Sequence, residues 1–202
     1  MQITPLLGLI KGVFMFSENV KMADTCDASV IRGASHSEVS SINGYYTVEC
    51  RGADGQVKWI DEIHNLVTTV GKNGILDSYL GNSAGGAIHM GLKGTGTANV
   101  ADTQASHAGW DEVGGTNAPT YSGNRPTPSF SAASSGSKTT ASPVTFSMTS
   151  SGTVAGCFIN VGGSATKDDT TGVLFSAGDF TAGSKTVTNG DTLSVTYTAT
   201  AA

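Results

Sequence analysis

The sequence predicts a mostly β protein: a β-sandwich or jelly-roll-like domain with one short helix and an extended N-terminal arm. Three observations lead there. From Pro126 to Thr166 the chain carries one charged side chain, Lys138, amid a run dominated by Ser, Thr, Gly and Ala. In the C-terminal half, short apolar alternations of period two recur at roughly ten-residue spacing, the pattern of half-buried strands. Asp54-Gly55 and Asn189-Gly190 stand between such runs, where glycine's tolerance of positive φ suits a hairpin turn. The expected organisation is an arm over residues 1–43 and a β-sandwich domain over 44–202.

Bulk numbers narrow the classes. A chain of 202 residues holds one large or two small domains. It is 38% hydrophobic and 13% charged, whereas an average globular chain is roughly 25% charged. Disordered chains carry more charge and lack regular apolar alternation, so this one is read as folded. The net charge of −5 gives no polycationic face for a phosphate backbone, and no nucleic-acid partner is expected. Cys26, Cys50 and Cys157 are odd in number and widely spaced, with no CxxC pair and no zinc-ligand spacing, so they read as buried free thiols.

The arm opens with an apolar stretch, Met1 to Phe16, interrupted by Lys11. It lacks the basic lead-in and small-residue cleavage site of a signal peptide. It is also too short to span a bilayer, and no membrane partner is expected. Either it docks on a neighbouring subunit, or Met22 is the natural start and the preceding residues are an upstream extension. Residues 23–43 are polar without sustained period and read as an extended linker.

The elements follow in order. Gly44 to Cys50 alternates Tyr46, Val48 and Cys50 against Tyr45, Thr47 and Glu49, a strand of strong β formers. Val57 to Ile63 answers it after Asp54-Gly55, with Val57, Trp59 and Asp61 on one side and Lys58, Ile60 and Glu62 on the other; the mixed sides leave its orientation open. Between Thr68 and Gly81, Val70, Ile75, Leu76, Tyr79 and Leu80 fall near helical spacing, and Gly81 stands where a C′ glycine ends a helix. Gly74 weakens that helix by about 1 kcal/mol relative to Ala. Ala87 to Leu92 reads as a short buried strand. Lys93 to Arg125 is a long irregular loop, which its apolar members Val100, Trp110, Val113 and Tyr121 should pin to the core. Val144, Phe146 and Met148 then alternate with Thr145, Ser147 and Thr149. Val154 to Val161 is apolar on both faces, as a central strand would be. Gly172 to Ser176 is a further strand. Lys185 to Thr188 and Thr192 to Thr200 flank Asn189-Gly190-Asp191 as a hairpin, with Leu193, Val195, Tyr197 and Ala199 facing in.

The residue types that carry chemistry are scattered. His36, His64, His89 and His107 show no metal-ligand spacing and read as structural or surface histidines. Gly91 to Gly96 superficially has the look of a phosphate loop but lacks its Gly-Lys-Ser/Thr ending and a following helix. Asp168, Asp169, Asp179 and Asp191 have the hard oxygens a Ca²⁺ ion wants, but each sits beside Gly or Thr as turn-capping aspartates do. Asp111 and Glu112 are chain neighbours, and adjacent carboxylates need not face one another as a glycosidase pair must. No catalytic, cofactor-binding or metal-ligating residue is therefore expected, and no cofactor. Trp59 and Trp110 are expected as packing anchors, Tyr46 and Tyr197 as strand residues and Gly190 as the hairpin turn.

A resemblance adds to this reading. The run Asp102 to Trp110 (DTQASHAGW), preceded by the helix segment LDSYL and the Gly91-Leu92 strand, resembles small virion proteins of tailed bacteriophages. Similar in order and spacing are Tyr46 to Arg51 with Asp54-Gly55 and Trp59, then Asn65 to Thr68, and the ending Gly190 to Tyr197. The likeness spans about residues 44–200 and omits the arm. It implies a non-enzymatic capsid cement or decoration protein on the exterior of the virion, made in the host cytoplasm. The partners it implies are the major capsid protein and further copies of the chain, as a homotrimer or homodimer. The alternative is a tail-fibre or receptor-binding module recognising host surface glycans. That would need exposed aromatic platforms, for which Trp110 and Tyr121 are the candidates.

Overall fold

A computed structural model describes residues 41–81 and 85–201. The expected arm, up to residue 40, lies outside the described residues. The first strand, β1 (Ile42–Arg51), begins two residues before the expected Gly44 and buries Tyr46, Val48 and Cys50 on one face. It turns into β2 (Val57–Val67) through Asp54-Gly55. There Gly55, at φ +76°, donates its N–H to the Gly52 carbonyl at 2.9 Å, and the Asp54 carboxylate accepts from the Gln56 N–H at 3.0 Å. Register settles the orientation left open by the sequence. Cys50 lies opposite Trp59, Val48 opposite Asp61 and Tyr46 opposite Ile63, so that row of β2 faces inward. Asp61 is tolerated there because Lys185 meets its carboxylate at 2.7 Å.

The helix α1 (Thr69–Leu80) starts at Thr68, whose hydroxyl accepts the Gly71 N–H at 3.0 Å. At its other end Gly81 is right-handed, at φ −85°, rather than the left-handed C′ glycine expected. Its N–H still closes on the Asp77 carbonyl at 2.9 Å, so the last turn ends without a reversal of hand. The apolar spacing also misidentifies the packed side: Leu76 and Leu80 are exposed by 55% and 76%. What seats the helix is Gly71, where a Cβ would lie 2.3 Å from the Phe175 carbonyl oxygen. Backbone approach, rather than leucine burial, fixes α1 against the sheet.

The remaining strands are β3 (Ile88–Gly96), β4 (Trp110–Val113), β5 (Ser137–Thr139), β6 (Val144–Ser147), β7 (Gly152–Val154), β8 (Gly156–Val161), β9 (Val173–Asp179), β10 (Lys185–Val187) and β11 (Thr192–Ala201). Nine of the eleven strands join one antiparallel sheet in the order β4-β3-β8-β9-β2-β1-β11-β5, with β6 also on β11; β10 and β7 form a separate ladder. The main core draws on both halves of that order, from Met90 and Ile159 on one side to Val48, Phe146 and Val195 on the other. The result is mostly β, antiparallel and sandwich-like, with α1 as the one helix among the described residues.

Two expectations about pairing change. Lys185 to Thr188 and the last strand do not form a hairpin: Gly190 makes the turn at φ +90°, but β10 pairs with β7. The reason is edge occupancy. β11 is paired along its whole length with β1 on one edge and with β6 and β5 on the other, leaving no ladder for β10. The apolar run 154–161 is divided at Ala155, and its β8 part is central between β3 and β9. Cys157 and Ile159 enter the main core, while Phe158 on the opposite face packs with Trp110, Leu174 and Ala177. The expected loop from Lys93 to Arg125 is interrupted, since β3 runs on to Gly96 and Trp110 to Val113 is β4. Trp110, Val113 and Tyr121 are buried as expected, whereas Val100 is exposed and its segment is tied down by its carbonyl, which accepts the Thr69 N–H at 2.9 Å. Among the described residues no helix is long and apolar enough to cross a membrane.

Candidate functional site

Several ionisable groups gather where β4, the loop before Arg125 and residues 164–169 meet. Alternation along β4 sends Asp111 outward and Glu112 inward, so these two carboxylates do not share a face. Arg125, fully buried, holds Glu112 bidentately through Nε at 2.8 Å and Nη2 at 2.5 Å. Its other donors reach the carbonyls of Ser164 at 3.2 Å and Asp169 at 2.9 Å, and its guanidinium lies 5.4 Å from the Phe158 ring centre. Burial opposes the Arg125 charge, but Glu112 outweighs it and holds the group above its ordinary range. The Asp168 N–H completes the Glu112 shell at 3.0 Å. Burial and then the Glu112 charge push the Tyr121 phenol up, and Lys167 stacks 4.3 Å above that ring. With both oxygens of Glu112 engaged, the Glu112–Arg125 pair clamps two loops together, while the buried Tyr121 hydroxyl has no hydrogen-bond partner among the described residues.

Beside the clamp lies a cavity of about 410 Å³ lined by Gln104, His107, Asp111, Asn117 and Asp168 among others. Asp168 departs from the turn reading, accepting from the N–H and hydroxyl of Thr116, 52 positions away, at 2.7 Å each. Asp169 caps its own turn, where the Thr171 hydroxyl and N–H pull its carboxyl below the usual range. Asp191 does the same for Thr188, at 2.8 and 3.0 Å, and also takes Lys58 at 2.6 Å. Asp179 departs from the turn reading: at the end of β9 it pairs with Lys93 at 2.5 Å. The four aspartates thus serve different partners, near and far in the chain, and among the described residues no group of three or more His, Cys, Asp or Glu is placed to hold a metal ion.

The histidines are distributed likewise. His64 is on the exposed face of β2 opposite Tyr45, and buried His89 shares a 3.2 Å hydrogen bond with the Thr127 hydroxyl. His107 stacks on Trp110 at 4.0 Å, with Nδ1 at 2.9 Å from its carbonyl oxygen. His36 and Cys26 lie outside the described residues. Cys50 and Cys157 are buried free thiols; burial first, then Asp191, pushes Cys50 up to about 11. Gly91 to Gly96 lies within strand β3, and its Lys93 is fully buried.

Trp110 and Tyr121 are each 3% exposed, so neither forms the aromatic platform that glycan recognition would need. Trp59 packs edge-on to Phe180 at 5.4 Å, and Tyr46 lies 4.6 Å from Tyr197, in the structural roles expected of them. Sequence reasoning missed the buried cations Lys93 and Arg125. The available signal was a lone basic residue in an otherwise apolar or neutral setting, with no hint of which acid would meet it.

Two surfaces stand apart from these internal networks. Outward positions of β6 and β11 form neighbouring hydroxyl rows, Thr145 and Ser147 beside Thr192, Ser194 and Thr196; the next row, on β1, sets Thr47 beside the Glu49–Arg51 ion pair. Between α1 and the ends of β8 and β9 runs an open trough of about 920 Å³, walled mainly by apolar groups including Ile75, Val161, Val173 and Phe175. No family model, curated protein or solved structure matches the chain.

Proposed function

We propose that the chain is a non-enzymatic bacteriophage virion protein, a capsid cement or decoration protein that binds and stabilises the head through oligomeric, multivalent contacts. One observation supports this above the others: the uncharged hydroxyl rows of β6 and β11, made by Thr145, Ser147, Thr192, Ser194 and Thr196. Such a face packs against a partner without stripping water from ions, a step that costs several kcal/mol per buried charge. Its Ser and Thr side chains can exchange hydrogen bonds with water for hydrogen bonds with backbone or hydroxyl groups across the contact. Each contact is weak alone, but repetition over a lattice raises effective concentration and makes attachment durable. The partners in this reading are the major capsid protein and further copies of the chain, and the location is the capsid exterior. Densitometry of virions that carry the chain tests it: a cement protein is present in hundreds of copies, whereas a dozen would assign it to the tail and overturn the reading.

A further inference from the structure

We infer that the trough beneath α1 is a receptor for residues 1–16 of a neighbouring copy. This deepens the adhesive reading by naming one contact that joins copies. The trough walls include the half-buried apolar side chains of Ile75, Val161, Val173 and Phe175, with Asp77, Ser78 and Lys138 also on the lining. On the same helix Leu76 and Leu80 stand in solvent. A second apolar depression, of about 150 Å³, shares Lys138, Val161 and Phe175 with the trough and extends it towards Ala199 of β11. Contiguous apolar surface of this kind marks an interaction site.

The chain supplies an occupant of matching chemistry. Residues 1–16 carry Leu6, Leu7, Leu9, Ile10, Phe14 and Phe16, and their one charged side chain is Lys11. Left in water, that segment exposes large apolar side chains, each worth about 1.5–3 kcal/mol on burial. The tether between this segment and the first described residue is residues 17–40. At about 3.3 Å per residue it spans at most roughly 80 Å. A domain of this length is roughly 40 Å across. The segment can therefore leave its own domain and enter an adjoining one. Exchange of identical segments between copies creates oligomers from contacts already encoded in one chain.

The test uses the full chain. A Cβ at Gly85, on the trough lining, meets nothing within 4 Å, so Gly85→Trp adds a bulky side chain beside the trough without displacing backbone. A second variant, Leu9→Asp with Phe14→Asp, spoils the segment and leaves the trough intact. Sedimentation velocity should show wild-type self-association, weakened about tenfold or more in each variant, as for loss of an interface anchor. An equal mixture of the two variants should recover association, since an intact segment then meets an intact trough. A labelled peptide of residues 1–16 should bind the segment variant and not Gly85→Trp. A monomeric wild type, variants that associate as wild type does, or a mixture that recovers nothing would each overturn the inference. The cement reading has its own test: it fails if the full chain does not bind capsids, whatever the trough holds.

Discussion

Replacing Arg125 by Met should be among the most damaging single changes in the domain. The guanidinium makes two hydrogen bonds to Glu112 and one each to the Ser164 and Asp169 carbonyls, all from a fully buried position. Met fills much of the volume over Phe158, so the loss is electrostatic more than steric. Glu112, 4% exposed, keeps only the Asp168 N–H as a partner among its hydrogen bonds. Removing one member of a buried ion pair costs about 3–5 kcal/mol, because the other charge is left without compensation. For a domain of this size each kcal/mol shifts Tm by about 2–4 °C, so the expected fall is roughly 6–20 °C. Urea unfolding followed by tryptophan fluorescence reads this directly, since Trp110 packs 5.4 Å from the Phe158 ring beneath the clamp. The double variant Glu112→Leu with Arg125→Met should recover most of the deficit, as apolar replacements of buried pairs do. A loss below about 1 kcal/mol for Arg125→Met, the range of exposed pairs, would refute the reasoning. So would a double variant whose cost is the sum of the two single ones.

Three further outcomes follow from the packing. Gly71→Ala places a methyl 2.3 Å from the Phe175 carbonyl oxygen, so α1 must lift from β9; the cost should be roughly 1–3 kcal/mol, with faster hydrogen exchange confined to α1, and unchanged exchange there would count against seating by backbone approach. Asp191 and Asp61 are pulled up by burial but held below the ordinary carboxylate range by Lys58 and Thr188, and by Lys185 and Glu62, respectively. Folded carboxylates so depressed bind fewer protons than unfolded ones, so their stabilisation is complete above about pH 4 and disappears as pH falls through the folded values; Asp191→Asn should flatten that acid limb in denaturation curves, and an unchanged limb would contradict the assignment. Cys50 and Cys157 should resist an aromatic disulfide reagent at pH 8 in the folded protein and react once it is unfolded, since burial disfavours both thiolates; prompt labelling of either would mean the core opens readily.

Much of the strand inventory was legible in the sequence because alternation is a local property. Tyr46, Val48 and Cys50, or Leu193, Val195 and Tyr197, declare their inward row without knowledge of the partner strand. Asp54-Gly55 and Asn189-Gly190 likewise declare turns, since positive φ at glycine depends on neighbours in the chain. That Asp111 and Glu112 need not face one another was readable from their adjacency, but the strand that sends them to opposite faces was not, since both were expected in a loop.

What followed the Asn189-Gly190 turn was not readable, because pairing depends on which edges are free, and β11 had none left for β10. The packed side of α1 was hidden for a related reason. Its apolar residues share a helical period, but the contact with Phe175 is made by Gly71, which has no hydrophobic signal. The partners of Arg125 and Lys93 stand 13 and 86 positions away in the chain, and only folding decides which acid neutralises which buried base. The sequence alone thus determined the short-range features: strand rows, turns and the neutral composition of the C-terminal half. Tertiary structure decided the pairing of edges, the seating of the helix and the matching of buried charges, because each is a competition among distant groups for one place.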